Sequence, residues 1–173
     1  MFVAFVLPVA PRPIAGELIS SWLLRVSLAN GLTLAQLVEA IETRFPAAIQ
    51  EAFIDDQLSA RALSALATFL RVPANIIKAL ELSQRFPELP TGWILRPQSG
   101  DMDFPQRFFK GEARYAFCPS CLQEMIACTQ TVLIRNQWAL AFLTHCARHR
   151  TPLRERCPVC FIEDPILAMT KPT

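Results

Sequence analysis

FCPSCLQEMIACTQTVLIRNQWALAFLTHCARH, residues 117–149, holds CPSC at 118–121 and CARH at 146–149, and these two knuckles decide how the second half of the chain folds. Tetrahedral zinc takes four soft or borderline donors at about 2.0–2.3 Å, and a C-x-x-C turn offers two thiolates for a second knuckle to close over. Cys118, Cys121, Cys146 and His149 are therefore expected to bind one zinc ion. Three thiolates and one imidazole fill every position, so the site is structural, with none left for a catalytic water. The plain alternative is two unrelated buried thiol pairs. Between the knuckles, TVLIRNQWALAFL at 131–143 includes Trp138 and supplies apolar material for a small core.

Downstream, CPVC at 157–160 forms a third knuckle with no Cys or His after it. Cys157 and Cys160 are half of a second site, which Cys128 and His145 complete only if the fold brings them together; otherwise the pair is a free dithiol or the start of a longer ribbon. A thioredoxin-like role would need the pair at the end of a strand in a βαβ pattern, which the sequence does not show. Arg148, Arg150, Arg154 and Arg156 flank these knuckles with Glu155 as the acid among them. They form either a solvated basic face or a set of nucleic-acid phosphate contacts.

Upstream, the pattern is helical. Leu18, Ile19, Trp22, Leu23 and Val26 share one face of a helix opened by Gly16-Glu17 and ended by Asn30-Gly31, with Arg25 off the stripe. TLAQ at 33–36 is a capping box for a second helix, along which Leu34, Leu37, Val38 and Ile41 repeat until Phe45-Pro46 stops it. Residues 59–83 have helix-turn-helix spacing in Leu66, Ala67, Leu70, Val72, Ile77 and Leu80, with Arg71 at a turn position that glycine would ease. Its second helix, expected over 73–82, offers Asn75 and Lys78 to DNA while Glu81 would repel phosphate, so a hairpin that packs or binds protein is the favoured use. Pro87, Pro90, Pro97 and Pro105 with Gly92 and Gly100 mark a linker over 87–105. The expected architecture is mainly α: a helical domain over 1–100 with helix-turn-helix-like hairpins, then a small zinc-finger or zinc-ribbon module over 101–173.

Composition bounds the rest. With 52% hydrophobic and 18% charged residues in 173, the chain can bury a core and is not mainly disordered. MFVAFVLPVA at 1–10 has no positive residue ahead of its apolar run and Pro8 interrupts it, so it reads as a buried strand and not an export signal. Residues 131–143 are too short for a membrane crossing and contain Arg135. A cytoplasmic protein follows, and in that reducing compartment closely spaced cysteines favour metal over disulfides. Charge is uneven: residues 1–103 carry eight basic and ten acidic side chains, residues 104–160 eight and three, so the cysteine-bearing half is the basic half. Both histidines adjoin one knuckle, and no nucleophile motif or Gly-rich phosphate loop supports a reaction class, so no enzyme is expected.

Two blocks resemble one family. PIAGELISSWLLRVSLANG at 13–31 is similar to the amino-terminal signature of the TniQ family of transposition proteins, and FCPSCLQE at 117–124, Trp138 and CARHRTPLRERCPVC at 146–160 resemble its zinc-finger signature, in the same order. The resemblance implies a non-enzymatic target-selection adaptor. Such a protein links a target-site recogniser, either DNA or an RNA-guided CRISPR effector with its guide RNA, to the transposon's AAA+ ATPase regulator. It also implies that Cys118, Cys121, Cys146 and His149 are the first zinc site and that Cys157 and Cys160 match half of a second. A zinc-containing helix-turn-helix transcription regulator is the alternative. Homodimerisation, and direct contact with DNA or RNA, stay open; a membrane partner is not expected.

Overall fold

The computed structural model of the chain describes residues 7–46, 48–49, 54–90, 115–128 and 131–156. Among the described residues the structure is helical, with isolated bridges and no strand. It divides into two units, Met1–Ala15 with Ile19–Pro87, and Gly16–Leu18 with Glu88–Thr173. No helix among the described residues is long and apolar enough to cross a membrane.

In the first unit, helix α1 (Ile19–Ala29) buries Ile19, Trp22, Leu23 and Val26, as their spacing predicts, and Leu24 as well. It ends in a Schellman motif: Leu32 N–H donates to Ser27 O (2.9 Å) and Gly31 N–H to Leu28 O (3.1 Å). Gly31 takes the left-handed conformation, φ +67°, that this closure requires. The start of α1 differs from the sequence expectation. Gly16, at φ +80°, and Leu18 lie outside the helix, because Leu18 N–H donates to Ile134 O (3.0 Å) and Gly16 O accepts from Asn136 N–H (2.8 Å) within the second unit. Asp55 then caps α1 from a distance, its Oδ1 accepting from Ser20 N–H at 2.8 Å.

Helix α2 (Leu34–Arg44) begins with the predicted reciprocal box, Thr33 N–H to Gln36 Oε1 (2.8 Å) and Gln36 N–H to Thr33 Oγ1 (3.2 Å). Its buried residues are the four expected: Leu34, Leu37, Val38 and Ile41. Helix α3 (Ala60–Leu70) is capped by Ser59 and ends at Arg71, which is left-handed at φ +56° where glycine would have been easier. Val72 is buried in the following turn, and α3 packs against α4 (Ala74–Lys78) as in a helix-turn-helix.

The single helix expected over 73–82 is instead two, α4 and α5 (Leu82–Arg85). Competing hydrogen bonds explain the break. Leu82 and Ser83 N–H donate to the carbonyls of Asp55 and Asp56 (2.8 and 3.1 Å), so they are withdrawn from an α-helical ladder. Glu81, expected from sequence to repel phosphate, is instead buried, and its Oε1 accepts from Leu58 N–H at 3.1 Å. Burial pushes its carboxyl above the ordinary glutamate value, although the Leu58 hydrogen bond opposes this.

The strand expected over 1–10 is not found among residues 7–10, and residues 1–6 lie outside the described ones. Prolines at 8, 11 and 13 remove backbone donors. An amide does the pairing instead: Val9 N–H donates to Asn30 Oδ1 (3.1 Å), and Asn30 Nδ2 donates to Val9 O (2.6 Å). The proposed linker falls mostly outside the described residues, which resume at 115 after a turn at 87–89.

Candidate metal centre

The second unit positions its site with one helix and one tight hairpin. Helix α6 (Pro119–Cys128) starts at the first knuckle, where Pro119 suits the first helical position and Leu122 N–H donates to Cys118 O (3.1 Å). Cys118 thus sits just before α6 and Cys121 in its first turn. Sequence reasoning expected a turn here and missed the helix. The second knuckle lies on a hairpin: Leu153 N–H donates to Thr144 O (2.8 Å), Cys146 N–H to Thr151 O (2.9 Å) and Arg150 N–H to Cys146 O (2.7 Å), with Arg150 left-handed at φ +54°. Reciprocal bonds of 2.8 Å between the backbones of Phe117 and Arg154 hold the two knuckles together.

Leu133, Ile134, Trp138, Ala139 and Leu140 form the apolar body between the knuckles, with Trp138 on a 3-10 turn, Asn136–Ala139. The middle of the 131–143 run is therefore core, as its composition predicts, whereas Ala141 and Phe142 near its end are exposed.

Donor atoms of Cys118, Cys121, Cys146 and His149 all lie within 4.8 Å of one another. His149 Nδ1 is 3.3 Å from Cys121 Sγ, 3.4 Å from Cys118 Sγ and 3.6 Å from Cys146 Sγ. The Cys121 and Cys146 sulfurs are 3.6 Å apart. Ligand bonds of about 2.0–2.3 Å imply edges of about 3.3–3.8 Å around a tetrahedron, and the three His149–sulfur separations and the Cys121–Cys146 separation fall in that range, as a small cation with four protein donors requires. The three cysteines are buried and His149 partly so. His149 N–H also points at Cys146 Sγ, at 3.5 Å, which favours negative charge on that sulfur.

Cys118, Cys121 and His149 differ in how tightly they hold protons. Burial alone would raise Cys118, but the Cys121 backbone N–H and the Thr151, Cys146 and His149 side chains bring it down to about 6. Cys121 is pushed up to about 12 by burial and by its neighbouring thiols. His149 is raised to about 9, mainly by its hydrogen bond to Glu124 and then by Cys146. A bound metal displaces such protons, because thiolate and neutral imidazole are the ligating forms.

Glu124, which sequence reasoning quoted but gave no role, has Oε1 2.9 Å from His149 Nε2 and Oε2 3.1 Å from Arg148 Nη2. His149 lowers its carboxyl below the ordinary range, and Arg148 adds to this. The signal for Glu124 was its place three residues after Cys121, which puts it one turn along the same helix.

The structure does not bring the remaining cysteine and histidine to this cluster: Cys128 is exposed at the end of α6, and exposed His145 has Nδ1 3.0 Å from Thr144 Oγ1. Cys157 and Cys160 lie outside the described residues. Arg150, Arg154 and Arg156 are exposed, while Arg148 is engaged with Glu124.

A helical unit with a helix-turn-helix hairpin, and a second unit closed around three cysteines and a histidine, define a mainly α protein with a finger able to hold a metal ion. The chain belongs to the TniQ family, whose model matches residues 8–153, and is thereby a transposition-associated protein. No curated protein matches it.

Proposed function

We propose that the protein is a non-enzymatic transposition-targeting adaptor with one structural zinc ion held by Cys118, Cys121, Cys146 and His149. The observation that carries this is the Cys3His donor set, gathered within 4.8 Å, inside a chain whose TniQ match spans both units. Three thiolates favour zinc among the abundant cytosolic cations, and four protein donors leave no open position for catalysis.

In this role the first unit docks on the transposon's AAA+ ATPase regulator, and the second faces the target recogniser, with Arg148, Arg150, Arg154 and Arg156 near nucleic-acid phosphate. The division follows the charge, since residues 1–103 carry ten acidic against eight basic side chains and cannot depend mainly on phosphate attraction. The transcription-regulator alternative needs a recognition helix that fills a major groove, and α4 spans 5 residues.

Full-length protein purified without added metal tests both parts. Elemental analysis is expected to give one zinc per chain, and immobilised protein is expected to retain the purified AAA+ regulator. A folded protein with no zinc sinks the metal assignment; failure to retain the regulator, with zinc present, sinks the adaptor role.

A further inference from the structure

The metal centre has an outer layer that neither the knuckle motif nor the family match assigns. Glu124 divides its two oxygens between His149 Nε2, at 2.9 Å, and Arg148 Nη2, at 3.1 Å. A carboxylate accepts and does not donate, so Nε2 must bear a hydrogen in this contact. In the neutral ring that leaves the lone pair on Nδ1, the nitrogen that lies 3.3–3.6 Å from all three sulfurs. Arg148 occupies the second oxygen, which restrains the carboxylate from turning away. The contact joins α6, which carries Cys121, to the hairpin that carries Cys146 and His149.

We propose that Glu124, held by Arg148, is a positioning residue for the metal: it fixes the tautomer and ring orientation of His149 so that Nδ1 faces a cation among Cys118, Cys121 and Cys146. This rests on the zinc assignment above. Arg148 accordingly belongs to the metal centre's outer layer, in addition to any phosphate contact. Partners of this kind typically set metal affinity by about 10- to 100-fold.

The test is zinc affinity of the full chain, read by competition with a chromophoric chelator at fixed pH. Glu124→Ala is expected to weaken binding by about 10- to 100-fold, and Arg148→Ala by less. In a His149→Cys background the fourth ligand no longer needs a tautomer. There Glu124→Ala is expected to change affinity by less than about twofold, the limit for uncoupled sites. Equal losses in both backgrounds would mean that Glu124 acts through the stability of α6, and no loss in either would also overturn the proposal. The nitrogen-15 shifts of His149 in zinc-loaded wild type give a readout that does not depend on a variant folding: a proton on Nδ1 overturns the proposal, and a proton on Nε2 supports it. A wild type that takes up no zinc would remove the metal assignment itself, an outcome distinct from the loss of Glu124's role alone.

Discussion

Left-handed backbone occurs at Gly16, Gly31, Arg71 and Arg150 among the described residues, and its cost depends on which residue occupies it. At Gly31 an added Cβ would meet nothing within 4 Å, so Gly31→Ala isolates the backbone term. That substitution is expected to destabilise the protein by about 1–2 kcal/mol. Arg71 presents the opposite case. It holds φ +56° with an exposed side chain, and glycine there relieves strain while it adds freedom to the unfolded chain. Arg71→Gly is expected to stabilise by about 0.5–1 kcal/mol net. Denaturant midpoints of the two variants beside wild type check both signs, and a destabilised Arg71→Gly would show that the arginine side chain makes a stabilising contact that outweighs its backbone cost.

At the scale of elements, α1, α2 and α3 were legible because each carries its own signals: apolar repeats at helical spacing, a Thr33-Gln36 box and an Asn30-Gly31 stop. The gathering of Cys118, Cys121, Cys146 and His149 into one cluster was legible for the same reason, since the spacing within each knuckle is local. What was not legible depends on partners far away in sequence. Asp55 caps α1 across 35 residues, Glu81 accepts from Leu58 across 23, and Glu124 reaches His149 across 25; no periodicity encodes such pairs. The break between α4 and α5 belongs with these, because residues 55 and 56 take the N–H groups that would have continued the helix. Glu81 makes this testable. Its folded carboxyl binds a proton more tightly than the unfolded one, so its contribution is fully present below the ordinary value of 4.5 and is lost as pH rises through the raised folded value. Glu81→Gln keeps an acceptor for Leu58 N–H and never ionises. It is expected to raise stability at neutral pH and to flatten the pH dependence above 4.5. Glu81→Ala leaves a buried N–H unpaired and is expected to cost about 1–3 kcal/mol. Unfolding midpoints across that pH range separate the variants, and a Gln variant weaker than wild type at neutral pH would mean that the charge itself is stabilising.

For the whole molecule, basic charge and the candidate metal cluster converge on the second half of the chain. Residues 104–160 carry eight basic and three acidic side chains, and the basic ones after 147 cluster around a centre whose small apolar body is held by two knuckles. The proposed phosphate contacts make different demands on the four arginines. Arg148 already shares Glu124 with the metal centre, whereas Arg150 and Arg154 are exposed on the hairpin beyond it. Arg150 has a further advantage for experiment: at φ +54° its replacement by glycine removes the charge while it eases the backbone. Loss of binding in Arg150→Gly therefore cannot be ascribed to a strained turn. The bridge between Arg154 and Phe117 is made by backbone hydrogen bonds, so Arg154→Gln removes the charge and keeps that bridge. Each phosphate contact releases counterions and contributes about 0.9 to the slope of log affinity against log salt on duplex DNA. Combined in one protein, Arg150→Gly and Arg154→Gln are expected to make the slope shallower by about 1.8, with zinc content and unfolding midpoint no lower than in wild type. The measurement is affinity for a labelled duplex across a salt series. An unchanged slope would place nucleic-acid contact, if the protein makes any, away from this hairpin, and would leave the second unit facing its recogniser through protein surface.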